Sequence, residues 1–286
     1  MRKYGLPKKI WENCLYQYKG NFYLDMSSNY WCNLEITKQQ EYAAQYQYGF
    51  ASEVGNSIEK TIKTKNIEIK FCLIPPGRFW MGSPEDEKGH MEHEKRHKVL
   101  ISNYFYIGKY EITQGQWKKV MGNNPSYFNK NSLNAPVEWI SWNDSRLFCD
   151  KLNFKLPTEA QWEYACRAGT TGAFNIDEIS LKTINYYSEV DRQITNEVGS
   201  LKNKNAWGGY DFHGNLWEWC FDWYSKNYYN KSPDTNPKGP NHGFLHPFRG
   251  GSWIFDLRFC RSAMRFANVA ETRDSDIGLR VVLEEL

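Results

Sequence analysis

Hydrophobic and polar positions divide this chain into three kinds of text. From Thr37 to Lys63, Tyr42, Ala43, Tyr46, Phe50, Val54, Ile58 and Ile62 recur at three- or four-residue steps, the period of a helix with one buried face. Gly49 and Gly55 weaken that helix without ending it. From Ile67 the period shortens. IEIKFCLIPPG reads as a strand stopped by Pro75 and Pro76, FWMGS as a second, and HKVLISNYFYIGKYEIT as two more beyond the polar loop SPEDEKGHMEHEKRH. Three short helices follow. ITQGQWKKVMG has Thr113 as N-cap and Gly122 as stop, and NDSRLFCDKLN has Asn143 or Asp144 at its cap. PTEAQWEYACRAG is led by Pro157 and Thr158, carries Trp162, Ala165 and Cys166 on its apolar face, and closes at Gly169. Beyond Thr170 the pattern is loops, turns and short strands. In GNLWEWCFDWY, Trp217, Trp219, Phe221 and Trp223 alternate with Glu218, Cys220 and Asp222, so a strand here turns every ring to one face.

Composition narrows the class. The 286 residues, 41% hydrophobic and 16% aromatic, suffice for one large core, which predicts a partly helical arm over residues 1–65 and a single α+β domain over 66–286. With 36 basic and 33 acidic residues interspersed, a net charge of +3 speaks against a nucleic acid partner. No apolar run is long enough to span a bilayer, and the start MRKYGLPKKIWENC lacks the hydrophobic region of a signal peptide. The chain therefore reads as soluble, with localisation and oligomeric state open. Seven cysteines without CxxC spacing read as buried, reduced thiols. His90, His93 and His97 have metal-like spacing only if helical, and their setting in HMEHEKRH reads as a solvated loop. His213, His242 and His246 lie near turns without a carboxylate triad and receive no role.

Six motifs in fixed order carry a resemblance: Phe79 with Met81, Gly82 and Ser83; KYEIT with Gln116 and Trp117; NAPVEWISW; LPTEAQWEYACRAG; GYDFHGNLWEWCFDWY; and RGGSW, CRSAMR and IGLRVV. Over about residues 67 to 283 the chain resembles the formylglycine-generating enzyme, or sulfatase-modifying factor, superfamily. The resemblance implies an irregular α+β domain with a C-type-lectin-like fold, few helices, short strands and a binding surface built from C-terminal loops. It also implies a copper site of two cysteines, since soft Cu(I) requires thiolates. The matching positions here are Leu257 and Ser262, and Cys260 between them reads as a packed core residue. An iron-dependent branch of the superfamily takes histidines from an N-terminal bundle, whereas here none precedes His90. Some members hold calcium near the GNxWEW motif, which would use Asn215 and Glu218; the competing reading pairs Glu218 with a buried arginine such as Arg249 or Arg265. At a second calcium site Gly199 stands where an aspartate ligand would be.

Bulky apolar residues enter the last motif where relatives carry polar loop residues. The segments concerned run Ile254, Phe255, Asp256, Leu257, Arg258 and Phe259, then Phe266, Ala267, Asn268 and Val269, then Asp274, Ser275 and Asp276. In this the chain resembles the variable proteins of diversity-generating retroelements, in which adenines of AAC or AAT codons are randomised. Every one of these residues is reachable from such a codon, whereas Glu, Lys, Gln, Met and Trp are not. The resemblance implies a non-catalytic protein with no required cofactor, displaying a diversified surface to a protein or other macromolecular ligand, with Phe255, Phe259, Phe266 and Arg258 as anchors. Trp253, Arg261, Ala263, Arg265, Gly278 and Arg280 would be fixed scaffold. Surface display fits that role. The alternatives are a formylglycine-generating or related metal-dependent oxidase, and a structural reading in which Ile254, Leu257 and Phe259 only fill the core.

Overall fold

Short strands and capped helices arrange themselves into three four-stranded sheets in a computed structural model that describes residues 3–130, 132–176, 184, 186 and 194–284. In chain order the α-helices are α1 (Lys8–Asn13), α2 (Asn29–Cys32), α3 (Ile36–Glu53), α4 (Gln114–Met121), α5 (Trp142–Leu152) and α6 (Glu159–Arg167). The strands are β1 (Leu15–Tyr18), β2 (Asn21–Asp25), β3 (Glu59–Thr64), β4 (Ile67–Ile74), β5 (Gly77–Met81), β6 (His97–Ile101), β7 (Phe105–Gly108), β8 (Trp217–Trp219), β9 (His246–Arg249), β10 (Arg265–Asn268), β11 (Ile277–Gly278) and β12 (Val282–Leu283). The sheet orders are β1-β2-β5-β6, β12-β7-β4-β3 and β10-β9-β8-β11. The fold is mixed α+β with few helices and much irregular loop.

Local chemistry explains most element ends, including three that the sequence pattern misplaces. The helix expected over Thr37 to Lys63 stops at Glu53, followed by Gly55 at φ 69°. Ile62 belongs instead to β3, which turns back onto β4 through Lys65 and Asn66, both left-handed as a two-residue hairpin requires. The cap of α5 is Ser141, not Asn143 or Asp144. Ser141 Oγ accepts from the Asp144 amide at 3.1 Å while the Asp144 carboxylate accepts from the Ser141 amide at 2.9 Å, a reciprocal box that no later residue can form. The aromatic strand is only Trp217–Trp219; beyond it Phe221 is exposed and Asp222 buried, reversing the expected faces. Thr113, Gly122 and Thr158 act as expected, and α6 closes through left-handed Ala168 ahead of Gly169.

The N-terminal segment joins the same core. β2 pairs in parallel with β5, and α3 buries Ala43, Tyr46 and Phe50. Tyr46 donates to the Pro76 carbonyl at 2.7 Å and Trp31 to that of Gly169, also at 2.7 Å. Among the described residues no helix is long and apolar enough to cross a membrane.

Candidate ligand-binding surface

The C-terminal sheet has two chemically different faces. Its register sets Arg265 opposite Arg249, and Arg249 opposite Glu218, so these three share one face. One residue along, Phe266 lies opposite Phe248 and Phe248 opposite Trp219, with Ile277 beside Trp217, and these form the other face.

The polar face packs on α6. Glu159 takes two bonds from Arg265, at 2.6 and 2.8 Å, and one from Arg249 at 3.3 Å. Burial alone would raise the Glu159 carboxyl, but Arg265 and Arg249 outweigh it and hold it below the usual carboxylate range. Glu163 accepts from Arg249, from Arg167 at 2.9 Å and from the Gly82 amide at 2.9 Å. Glu218 is paired with Arg280, at 2.7 to 3.2 Å, not with Arg249 or Arg265, and also accepts from Trp162 Nε1 at 2.7 Å. Arg261 draws Glu87 and Glu94 out of the polar loop before β6; Glu94 is fully buried, correcting the solvated-loop expectation for that segment. Each of these five buried arginines also donates to backbone carbonyls. Arg249 reaches Ser262 and Ala263, Arg261 reaches Arg258 and Gly89, and Arg265 reaches His93. Arg280 reaches Gly108 and Tyr210, and Arg167 reaches Gly172 and Gly82.

The aromatic face is where the three expected segments meet. A cavity of about 410 Å³ is lined by Trp217, Phe248, Ile254, Phe255 and Phe266 and rimmed by Asn268, Thr272, Asp274, Ser275 and Asp276. Ile254, Phe266 and Val269 remain 50%, 42% and 43% exposed. Phe255 and Phe259 are half-buried, their rings tilted against each other at 5.2 Å, and Leu257 and Ala267 are also half-buried. Arg258 is exposed and closed on Asp256, which caps the turn Leu257–Cys260. Asp276 is 6% exposed and accepts from Ser252 Oγ at 2.8 Å; burial, with Asp274 beside it, pushes its carboxyl up to about 6. Trp253, Arg261, Ala263, Arg265 and Arg280 are all buried beneath this layer. The path into the first segment leaves β9 through Gly250 and Gly251. Gly251 sits at φ 75°, where an added Cβ would meet Cys260 Sγ at 2.6 Å and the Phe259 carbonyl at 2.8 Å.

Trp139, to which the sequence pattern assigns no role, adjoins the cavity rim at Asp274. Trp139 is 41% exposed at φ 61°, a conformation rare for a bulky side chain, and its amide donates to the Asp274 carbonyl at 2.9 Å. Its only sequence signal is its place in the NAPVEWISW motif.

The side chains at the metal positions that the resemblance implies are engaged by other protein groups or lack the ligand chemistry. Leu257 and Ser262 offer no thiolate; Ser262 is fully buried, with Oγ 3.7 Å from Cys166 Sγ. Burial pushes the Cys166 thiol up to about 12 and the Cys260 thiol higher still, so both are protonated. His213 lies beside Cys166 as a neutral ring, lowered to about 4 by burial, bonded through Nδ1 to the Cys260 carbonyl and through Nε2 to the Asn175 amide. His90, His93 and His97 bond separately to Ser83, Arg265 and Lys95, and His246 is stacked between Trp142 and Trp223. Among the described residues no three His, Cys, Asp or Glu side chains converge on a metal position. Asn215 and Glu218 are each bonded to other protein groups. Asn215 Oδ1 accepts from Asn196 at 3.0 Å and its Nδ2 donates to Glu111 at 2.6 Å, while Glu218 is spent on Arg280 and Trp162. Gly199 donates its amide to Asp211 at 2.6 Å.

Residues 58–285 match the sulfatase-modifying factor enzyme 1-like domain. A formylglycine-generating enzyme of Streptomyces coelicolor is 34% identical over 163 residues, covering 51% of this chain and 52% of that protein. The chain spans about half the length of the curated formylglycine-generating enzymes of Streptomyces coelicolor and Mus musculus that it matches. Among solved structures, Treponema denticola variable protein 1 superposes with a TM-score of 0.72 at 28% identity, over 79% of this chain and 99% of that one. PvdO from Pseudomonas aeruginosa gives 0.70 at 28% identity, over 78% and 97%. The architecture is thus the C-type-lectin-like fold of the formylglycine-generating type, and this chain belongs to the sulfatase-modifying factor enzyme 1-like family.

Proposed function

We propose that this chain is a non-catalytic binding protein whose residues 254–259, 266–269 and 274–276 form a diversified surface for a protein or other macromolecular ligand. The observation that carries the reading is the convergence of these three segments on one aromatic cavity, above a framework of buried, paired arginines. A recognition surface needs exposed apolar groups held on a rigid base, and Ile254, Phe266 and Val269 are such groups. The likeness to a protein named variable protein 1 supports the same reading. The oxidase reading lacks its thiolates, because Leu257 and Ser262 occupy the positions that would bind copper.

The test is to sequence the 3′ end of the gene and its downstream DNA in many clones of the source population. A near-copy of codons 253 to 280 that differs from the gene only at adenines of the copy is the expected result. Uniform codons with no such copy would overturn diversification and return the segment to core filling or a fixed pocket. Stoichiometric copper or iron in purified protein, with oxygen consumed in the presence of a thiol peptide, would overturn the non-catalytic assignment.

A further inference from the structure

We infer that the cavity beside β10 selects a cationic, hydrophobic segment of a polypeptide, one that presents an aromatic or long aliphatic side chain next to a lysine or arginine. The inference rests on the binding-surface reading and adds the chemistry of the ligand. Its apolar half follows from the floor: Trp217 lies 5.4, 5.6 and 5.9 Å from Phe248, Phe255 and Phe266, and Ile254 completes the wall. About 410 Å³ falls in the range of small-ligand pockets and exceeds the volume of one aromatic side chain.

The cationic half follows from the rim. Asp274 and Asp276 both line the cavity, and among the described residues neither has an ion-pair partner. Among the described residues the Asp274 carboxylate accepts from its neighbour Ser275, at 2.7 Å from the amide and 3.4 Å from the hydroxyl, and that of Asp276 accepts from Ser252 Oγ. The two arginines within reach by sequence are committed elsewhere: Arg258 to Asp256 at 2.8 Å and Arg273 to Asp144 at 2.7 Å. A pair of carboxylates beside aromatic rings leaves a negative potential over an apolar floor. A cation gains there from both the carboxylates and the ring faces, whereas an anionic ligand meets like charge. Ser275, Asn268 and Thr272 supply polar rim groups suited to a peptide backbone.

The probes are three capped dipeptides, acetyl-Phe-Lys-amide, acetyl-Phe-Glu-amide and acetyl-Gly-Lys-amide, titrated against the intact protein while the indole resonance of Trp217 is followed by NMR. The Phe-Lys peptide is expected to shift that resonance and to bind roughly fivefold more tightly than Phe-Glu, the scale of a charge pair on exposed Asp274 gained by lysine and lost to repulsion by glutamate, with the buried Asp276 adding to it. Gly-Lys should bind weakest. Asp274→Asn, an exposed change that leaves the Asp276 to Ser252 bond in place, should cut the preference for Phe-Lys at least by half, and Phe266→Ser should weaken both Phe peptides. Equal binding of Phe-Lys and Phe-Glu, or no shift of Trp217 with any probe, would overturn this inference. Templated codon variation reports separately on diversification, so a diversified surface without charge preference would sink the ligand chemistry alone.

Discussion

Replacing Arg265 with methionine and, separately, Phe266 with asparagine perturbs neighbours on β10 whose side chains face opposite sides of the sheet. Methionine keeps the stem of Arg265 but removes both bonds to Glu159, the bond to the His93 carbonyl at 2.8 Å and the guanidinium stacked 3.8 Å over Tyr229. Among the described residues Glu159 is left buried with Arg249, at 3.3 Å, as its remaining ion-pair partner. Breaking a buried pair from one side costs about 3–5 kcal/mol. Phe266 is 42% exposed, so its loss forfeits part of the about 1.5–3 kcal/mol that full burial of a phenylalanine is worth, or about 1–2 kcal/mol. At about 2 °C per kcal/mol for a chain of this size, Arg265→Met should lower Tm by about 6–10 °C and Phe266→Asn by about 2–4 °C. Circular dichroism melts and urea midpoints at constant m-value read both. A Phe266→Asn variant as destabilised as Arg265→Met would make the ring a core element and refute the separation of framework from display.

Three further outcomes follow from the same geometry. Gly251→Ala should cost about 2 kcal/mol or more in urea unfolding, from left-handed backbone strain and contact with Cys260, whereas Gly122→Ala, with open space at its Cβ, should show the strain alone. Burial beside Glu159 pushes the Asp222 carboxyl up to about 8, against about 3.9 in the unfolded chain, so the folded state binds the extra proton between those values. Stability is then fullest below pH 4 for this group and lost as pH rises toward 8, at no more than about 1.4 kcal/mol per pH unit, and Asp222→Asn should flatten that slope in melts taken from pH 5 to 8. Finally, Glu218→Gln should destabilise strongly by stripping Arg280 of its partner, yet leave any calcium-induced Tm shift of EDTA-treated protein unchanged; loss of a calcium shift in this variant alone would restore Glu218 as a ligand.

Much of the scaffold was legible in the sequence because it rests on short-range signals. Thr113 and Thr158 announce their helices through side chains that bond three residues on, and the Trp217–Trp219 alternation correctly sends the rings to one face and Glu218 to the other. Part of what failed depends on partners distant in sequence. Nothing near Glu218 identifies Arg280, sixty-two positions away, as its partner over Arg249 or Arg265. Glu94 reads as one more charge in a polar loop until Arg261 arrives to bury it. Ile62 fits a helical period as well as a strand, and only the left-handed pair Lys65 and Asn66 decides between them. The three segments were singled out by residue type, and their meeting around Trp217 is a property of how β9, β10 and β11 pair about β8.

On the proposed reading, the framework would let such a surface tolerate change in its side chains. A purely apolar base would hold the loops through side-chain contacts, which alter with every substitution above them. Here the guanidinium groups of Arg249 and Arg261 instead grip the carbonyls of Ser262, Ala263 and Arg258, and the carboxylates that orient them come from α6 and the loop before β6. Backbone carbonyls are the same whatever residue carries them. On the proposed reading, the path from Gly251 to Arg265 is held largely by groups beneath the displayed side chains, so that most of Ile254 through Phe259 could differ in chemistry while keeping their place; Asp256, which caps the turn Leu257–Cys260, is the exception.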